Sequence, residues 1–193
     1  MYKNHLLKGA LLLTAAGVFS RIIGFFYRIF LSRTFGAEQM GIYELISPVL
    51  ALSFALCTSA IQSSISKFTA AEPEAAIYAK RRILLTGLSV SFVLSCLCTL
   101  FVWREADFIS DFLLKETRCA PLLKIAALSF PAACIHSCIN GYYYGLQKTS
   151  VPAMTQLIEQ VVRVASVYLL YLICLEKGFA VTASIAVIGL AVG

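Results

Sequence analysis

Six apolar runs separated by charged connectors leave a chain of this kind few folds to choose from. Read against the roughly 20 residues that cross the hydrocarbon of a bilayer, the runs fall at 9–31, 41–65, 83–103, 121–146, 151–175 and 179–193. In lipid every backbone N–H and C=O must find its partner inside the segment or in a closed barrel, so apolar runs of this length are expected as helices. Composition points the same way. Of the 193 residues, 60% are hydrophobic and 13% charged, about half the ~25% charged share of a soluble domain. Such a chain cannot cover its own surface with polar groups. The expected fold is all-α: a polytopic membrane protein with five full transmembrane helices plus a truncated sixth. It forms a single membrane domain over 1–193, with no separate soluble domain.

The sixth run reaches Gly193 while still apolar and without a charged flank. This raises the expectation of an incomplete N-terminal lobe of a longer transporter, with a naturally short product as the alternative. Basic residues in connectors orient such chains. With the N-terminus cytoplasmic, Lys3, Lys8, Lys67, Lys80, Arg81, Arg82 and Lys148 lie inside, and Arg33, Arg104, Lys115, Arg118 and Lys177 outside. The inside set is the larger, and Lys80-Arg81-Arg82 is its strongest anchor. Lys3 to Phe19 also resembles a secretory signal, but the apolar run continues through Arg21 to Leu31 without a small-residue cleavage site, which favours a signal anchor.

Several function classes fall away. The net charge of +6 is spread over connectors and apolar runs, so no nucleic-acid patch forms. Of the seven cysteines only Cys119 lies outside a run, and buried cysteine behaves as a small hydrophobe. Cys134 and Cys138 share a helical face, but His136 points elsewhere, so no metal site and no cofactor are expected. No Walker, GxSxG or HExxH pattern is present. The expectation is a transporter and not an enzyme.

The charges inside the runs carry the functional argument. An arginine at the bilayer centre costs about 2.5 to 3.5 kcal/mol on the lenient scale, and the first run holds Arg21 and Arg28. Seven residues apart, they lie within about 20° of one face. Gly17 and Gly24 repeat at the same spacing and predict a neighbouring face open to close helix contact. Either the arginines snorkel and bond to carbonyls, or they line a water-filled cavity and hold an anion through paired donors. The cavity is the favoured reading. Glu159 precedes Arg163 by one turn, the favourable order for an ion pair, read as mutual neutralisation or as a gating or ion-coupling pair. One form of that gate has Glu159 exchanging partners with Arg21. Glu44 is placed near the outer mouth, within reach of Arg28 or Arg33.

Weaker features complete the reading. Tyr142, Tyr143 and Tyr144 suit an interfacial belt, and Gly141 and Gly145 a close helix contact. Pro48 and Pro131 predict bends inside spans. Ala70 to Ala76 predicts a short surface helix starting at Pro73.

Phe19-Ser20-Arg21-Ile22-Ile23-Gly24, then Arg28, then Leu31-Ser32-Arg33-Thr34-Phe35-Gly36-Ala37, resemble the first-helix signature of the polysaccharide-exporter branch of the multidrug/oligosaccharidyl-lipid/polysaccharide flippase superfamily, of the stage V sporulation protein B type. Gly41-Ile42-Tyr43-Glu44-Leu45, Ile65-Ser66-Lys67, Gly141 to Gln147 and Gln156 to Arg163 continue the resemblance in order. It implies a two-lobe helical fold around a central cavity, with this chain as most of the first lobe and a missing C-terminal lobe needed for activity. It further implies a bacterial cytoplasmic membrane location. The implied cargo is an undecaprenyl-pyrophosphate-linked saccharide or peptidoglycan precursor, for cell-wall, polysaccharide or spore-cortex synthesis. On this resemblance Arg21 and Arg28 bind pyrophosphate. In the lipid II flippases the second arginine stands one position earlier, which rotates Arg28 by about 100° and makes Arg21 the safer carry-over. A cation-coupled multidrug antiporter of the same superfamily and an inactive truncated fragment are the alternatives.

Overall fold

A computed structural model describes residues 2–73, 75–177 and 183–192, with side chains from 9 to 176 apart from Glu74, and from 183 to 191. The side chains of Lys3, Lys8 and Lys177, and the first residues of the sixth run, 179–182, lie outside the described residues. Helix α1 (Tyr2–Phe54) passes through a π-helical turn (Ala55–Ser59) into α2 (Ala60–Ala71). Then follow α3 (Ile77–Arg104), the short α4 (Ala106–Phe108) with a second π-helical turn (Ile109–Leu114), and α5 (Cys119–Ala127). The chain closes with α6 (Phe130–Gly145), α7 (Ser150–Lys177) and α8 (Ala183–Val192). Among the described residues there is no strand, and the chain is an all-helical, multi-pass membrane protein.

Three helical stretches are long and apolar enough to cross a bilayer: Gly9–Ala71, Ile77–Arg104 and Ser150–Glu176. A fourth arises if α5 and α6, bent by 44° at a short break, count as one span. The count differs from five and a fragment because the first two runs belong to one helical stretch of 63 residues. That stretch is not straight. Gly36 sits at φ 76°, ψ 171°, outside the helical region, a conformation glycine adopts without a Cβ clash. The Arg28 guanidinium nevertheless reaches the Glu44 carboxylate at 2.6 Å. In a straight helix sixteen residues span about 24 Å, beyond the reach of the two side chains. The chain therefore doubles back at Gly36, and the two arms of α1 lie side by side.

The arms nucleate two buried clusters. Tyr27, Leu31 and Phe35 of the first arm pack with Val167 of α7 and Ile185 and Ala186 of α8. Ile42, Ile46 and Leu50 of the second arm pack with Val102, Leu123, Phe130 and Val187. Outside these, Phe25, Val93, Leu97, Phe101 and Leu169 are exposed, the apolar surface a bilayer would cover.

Missing side chains set the helix spacing. A Cβ on Gly141 would meet the Gln62 carbonyl oxygen at 2.7 Å, and one on Gly145 the Thr69 Cβ at 2.6 Å. So α2 and α6 touch backbone to backbone, the close approach that small residues permit. Gly87 of α3 faces the Ile65 side chain at 2.5 Å in the same sense. Gly17 and Gly24 correct the expectation drawn from their spacing, for no described atom lies within 4 Å of where their Cβ atoms would be. Their face is open.

The prolines act as expected where the backbone can be satisfied. Pro131 stands in the first turn of α6, at the break after Leu128 and Ser129. Ser129 Oγ donates to the Ala126 carbonyl at 2.6 Å and Thr99 Oγ1 to the Ala127 carbonyl at 3.0 Å. These hydroxyls take up carbonyls at the broken span. Pro48 is continuous with α1. Among the described residues the expected surface helix from Pro73 is absent: α2 runs to Ala71, and Glu72 turns extended, ψ 141°, as a residue before proline tends to. A turn closed by Ala76 N–H on the Pro73 carbonyl, 3.0 Å, leads into α3. Lys67 and Lys80 to Arg82 are consequently helical residues and not part of a connector.

Glycine substitutions separate these roles. Gly145→Val should destabilise by about 1 to 3 kcal/mol through overpacking. Gly36→Ala should cost about 1 to 2 kcal/mol through backbone strain. Gly17→Ala, facing open space, should be neutral or stabilise by up to ~1 kcal/mol through helix propensity. Thermal unfolding in detergent micelles checks all three, and equal effects would refute the packing assigned to α2 and α6.

Candidate functional site

On the first arm of α1 the buried ridge is Ala16, Ser20, Tyr27, Leu31 and Phe35. Val18, Ile22, Phe25 and Ile29 form the opposite, exposed apolar face. At 100° per residue, Arg21 and Arg28 project about 80° to 100° from the ridge, on the flank that also carries Gly17 and Gly24. Arg21 is exposed and has no ion partner among the described residues. Arg28 is committed to Glu44, both side chains being substantially exposed, 65% and 41%. An exposed pair of this kind contributes little to stability. Its geometry ties the two arms across the Gly36 reversal. Arg33 takes no part in that pair.

Glu159 and Arg163 meet at a cavity of about 460 Å³ lined by residues including Thr58, Ser129, His136, Ser137, Glu159 and Arg163. Arg163 Nη2 donates to Glu159 Oε1 at 2.9 Å, one turn apart on α7. The other carboxylate oxygen, Oε2, lies 4.0 Å from His136 Nδ1 on α6. His136 Nε2 is 3.0 Å from Asn140 Nδ2, and Thr155 Oγ1 donates to Asn140 Oδ1 at 3.3 Å. A polar line thus climbs the α6–α7 seam from Thr155 through Asn140, His136 and Glu159 to Arg163. Arg163 Nε is buried without a hydrogen-bond acceptor among the described residues. The arrangement can hold or exchange charge inside an apolar bundle. Glu159 and Arg163 are brought together, Glu44 joins Arg28, and Arg21 makes no contact with Glu159.

His136, Asn140 and Thr155 were not expected here. The helical spacing of His136 and Asn140, four residues apart, was available in the sequence. Their apposition to Glu159 depends on how α6 and α7 pack, which no local pattern encodes. Among the described residues no group of three or more His, Cys, Asp or Glu could hold a metal ion.

At one end of the bundle a second ionic knot fixes loops. Arg118 Nη1 reaches Glu38 at 2.6 Å and its Nε reaches Glu116 at 2.8 Å, while Lys124 holds Asp107 at 3.0 Å. The Arg118 hydrogen bond keeps the Glu116 carboxyl below the usual carboxylate range. A lowered carboxylate pKa stabilises above the unfolded value and loses that contribution as pH falls through the folded one. Gln39 Oε1, beside Glu38, accepts from the Ala183 N–H at 3.1 Å at the start of α8. The opposite end brings Gly9 against Thr149 and Gly145 against Ser66 and Thr69. Of the residues expected outside, Arg118 thus lies at one end, and of those expected inside, Lys148, next to Thr149, lies at the other.

Comparison with known proteins gives a consistent set of likenesses. The sequence profile described as "Polysaccharide biosynthesis protein" matches residues 6–193. The chain is similar to stage V sporulation protein B of Bacillus subtilis (strain 168), 32% identical over 195 residues that cover 100% of this chain and 38% of that protein. It is also similar to sporulation protein YkvU of that bacterium, 24% identical over 87% of this chain and 36% of the relative. Lipid II flippase MurJ, again from that bacterium, is 24% identical over 83% of this chain and 31% of its own length. The chain thus spans under two fifths of the length of these relatives. No solved structure matches it.

Breaking the α7 pair from one side should cost more than removing both charges. Glu159→Gln alone, leaving Arg163 without its carboxylate, should lower stability by about 1 to 3 kcal/mol. Adding Arg163→Met should recover part of that loss. A double-mutant cycle on thermal unfolding measures the coupling, and strict additivity would show that the pair is not an energetic unit.

Proposed function

Because the chain belongs to the polysaccharide biosynthesis protein family, we propose that it forms the N-terminal lobe of a flippase for a lipid-linked glycan, an undecaprenyl-pyrophosphate-linked saccharide or peptidoglycan precursor. The observation that carries this reading is Arg21, an exposed guanidinium in an apolar span with no ion partner among the described residues. Beside it Gly17 and Gly24 leave an open face. A free guanidinium beside open space is suited to a phosphate or pyrophosphate, which it can grip through two parallel donors. Arg28, tied to Glu44 at 2.6 Å, assists by exchanging its carboxylate for the passing anion. Glu159 and Arg163 serve as the gating pair, with a carboxylate already shared between Arg163 and His136.

The reading carries a topology. Two passes meeting at Gly36, α3, the bent α5–α6 pair and α7 make five spans, and α8 begins a sixth. The N-terminus is cytoplasmic, so the Glu38–Arg118 knot faces outward and Lys80-Arg81-Arg82 inward. A second lobe, corresponding to the further length of the relatives, packs across the open flank of α1 and closes the cavity, as alternating access between two repeats requires. Transport of organic cations is less well supported, since both acids inside the spans, Glu44 and Glu159, are committed to arginines.

Complementation of a flippase-deficient, sporulating bacterium tests the proposal. A form extended to the length of the relatives should restore growth or cortex formation, and this 193-residue form should not. In the extended form Arg21→Ala should abolish rescue without loss of membrane insertion, while Arg21→Lys, a point charge without the paired donors, should retain part of it. Full rescue by Arg21→Ala would overturn the role of Arg21, and rescue by the short form would overturn the need for a second lobe.

A further inference from the structure

The seam between α2 and α3 opens into a groove of about 700 Å³ on the outer face of the bundle, away from the arginines of α1 and from the Glu159 pocket. Its walls change character along their length. The end at Ile61, Ile65 and Val90 is apolar, and Gly87 lets α3 come close to the Ile65 side chain there. The other end holds Glu72, Tyr78 and Arg82, where Arg82 is exposed beside Arg81. From Ile61 to Glu72 is eleven residues, about 16 Å along a helix. One leaflet of hydrocarbon is about 15 Å deep, half of the ~30 Å core. The groove is thus about as long as one leaflet is deep, apolar at one end and charged at the other.

We propose that this groove is a binding site for an anionic phospholipid, with an acyl chain laid along α2 and α3 and the phosphate on Arg82. The charge at the mouth chooses the occupant. Arg82, the base that lines the groove, favours a headgroup with net negative charge, one base near the surface adding about 1 kcal/mol. The Glu72 carboxylate on the same rim accepts hydrogen bonds, which suits a headgroup that ends in hydroxyls, such as phosphatidylglycerol. A transmembrane helix laid in the groove would leave Arg82 to be paired within protein, and a zwitterionic lipid would bring a cation to the mouth along with its phosphate. This site is independent of any glycan that the chain helps to move.

Native mass spectrometry of the purified chain in detergent, with equimolar palmitoyl-oleoyl phosphatidylglycerol and phosphatidylcholine, tests it. The phosphatidylglycerol adduct should be preferred about fivefold, the ratio that corresponds to one basic contact. Arg82→Gln, a change at an exposed side chain, should bring the ratio close to one. Arg81→Gln, which removes a base that does not line the groove, should leave most of the preference. Thr86→Trp, filling the groove from an exposed position, should remove both adducts. Equal retention of the two lipids by the unaltered chain, or equal loss in Arg81→Gln and Arg82→Gln, would overturn the proposal. Full phosphatidylglycerol binding by Thr86→Trp would do so as well.

Discussion

The reversal of the chain at Gly36 is the constraint from which the remaining packing follows. Laid out straight, the 63 helical residues from Gly9 to Ala71 would reach about 95 Å, some three times the hydrocarbon thickness of a bilayer. One residue with positive φ folds that length into two arms. Each arm then supplies a row to a separate cluster, Tyr27 to Phe35 on one side and Ile42 to Leu50 on the other. The Arg28–Glu44 pair spans the fold, and the Glu38–Arg118 and Gln39–Ala183 contacts fasten its crest to α5 and α8. Position 36 acts through geometry alone, since no described atom lies within 4 Å of its missing Cβ.

Within the bundle, polar groups are handled locally. Thr14, Ser53, Thr58, Ser64 and Ser89 each return a hydroxyl to the carbonyl four residues earlier, a habit of small polar residues in helices. Longer side chains are treated differently. Glu159 and Arg163 neutralise each other, and His136, Asn140 and Thr155 extend the polar line across a helix boundary. Arg21 stands outside this economy of partners. A guanidinium left exposed in a predominantly apolar span is the feature that the packing of this chain does not account for.

Much of the helical plan was legible because lipid enforces it. Apolar run lengths marked the helices, Pro131 marked the bend, and the four-residue spacing of Glu159 and Arg163 marked their pairing. The failures have two causes, one in the packing of neighbouring helices and one local. Whether a small-residue face is occupied depends on which helix lies beside it, so Gly141 and Gly145 proved to be contacts and Gly17 and Gly24 did not. The stretch around Pro73 was misread because alanine favours helix on both sides of a proline, while the residue before the proline decides where the helix stops. His136 was weighed only as a metal ligand beside Cys134 and Cys138, because its partner Glu159 belongs to another helix.

The π-helical turn at Ala55–Ser59 bears on how this lobe tolerates change. A π-helical turn is in effect one residue inserted into an α-helix, and one residue shifts the phase of everything after it by about 100°. The row Gln62, Ser66 and Thr69, against which Gly141 and Gly145 lie, keeps its bearing on α6 because of that insertion. A single-residue deletion between Phe54 and Ala60 would turn this row away from its glycines, and all of α2 with it, without changing any residue type downstream. Here the frame of the helix carries information that hydrophobicity does not, so substitution and deletion within the same five residues have unequal consequences.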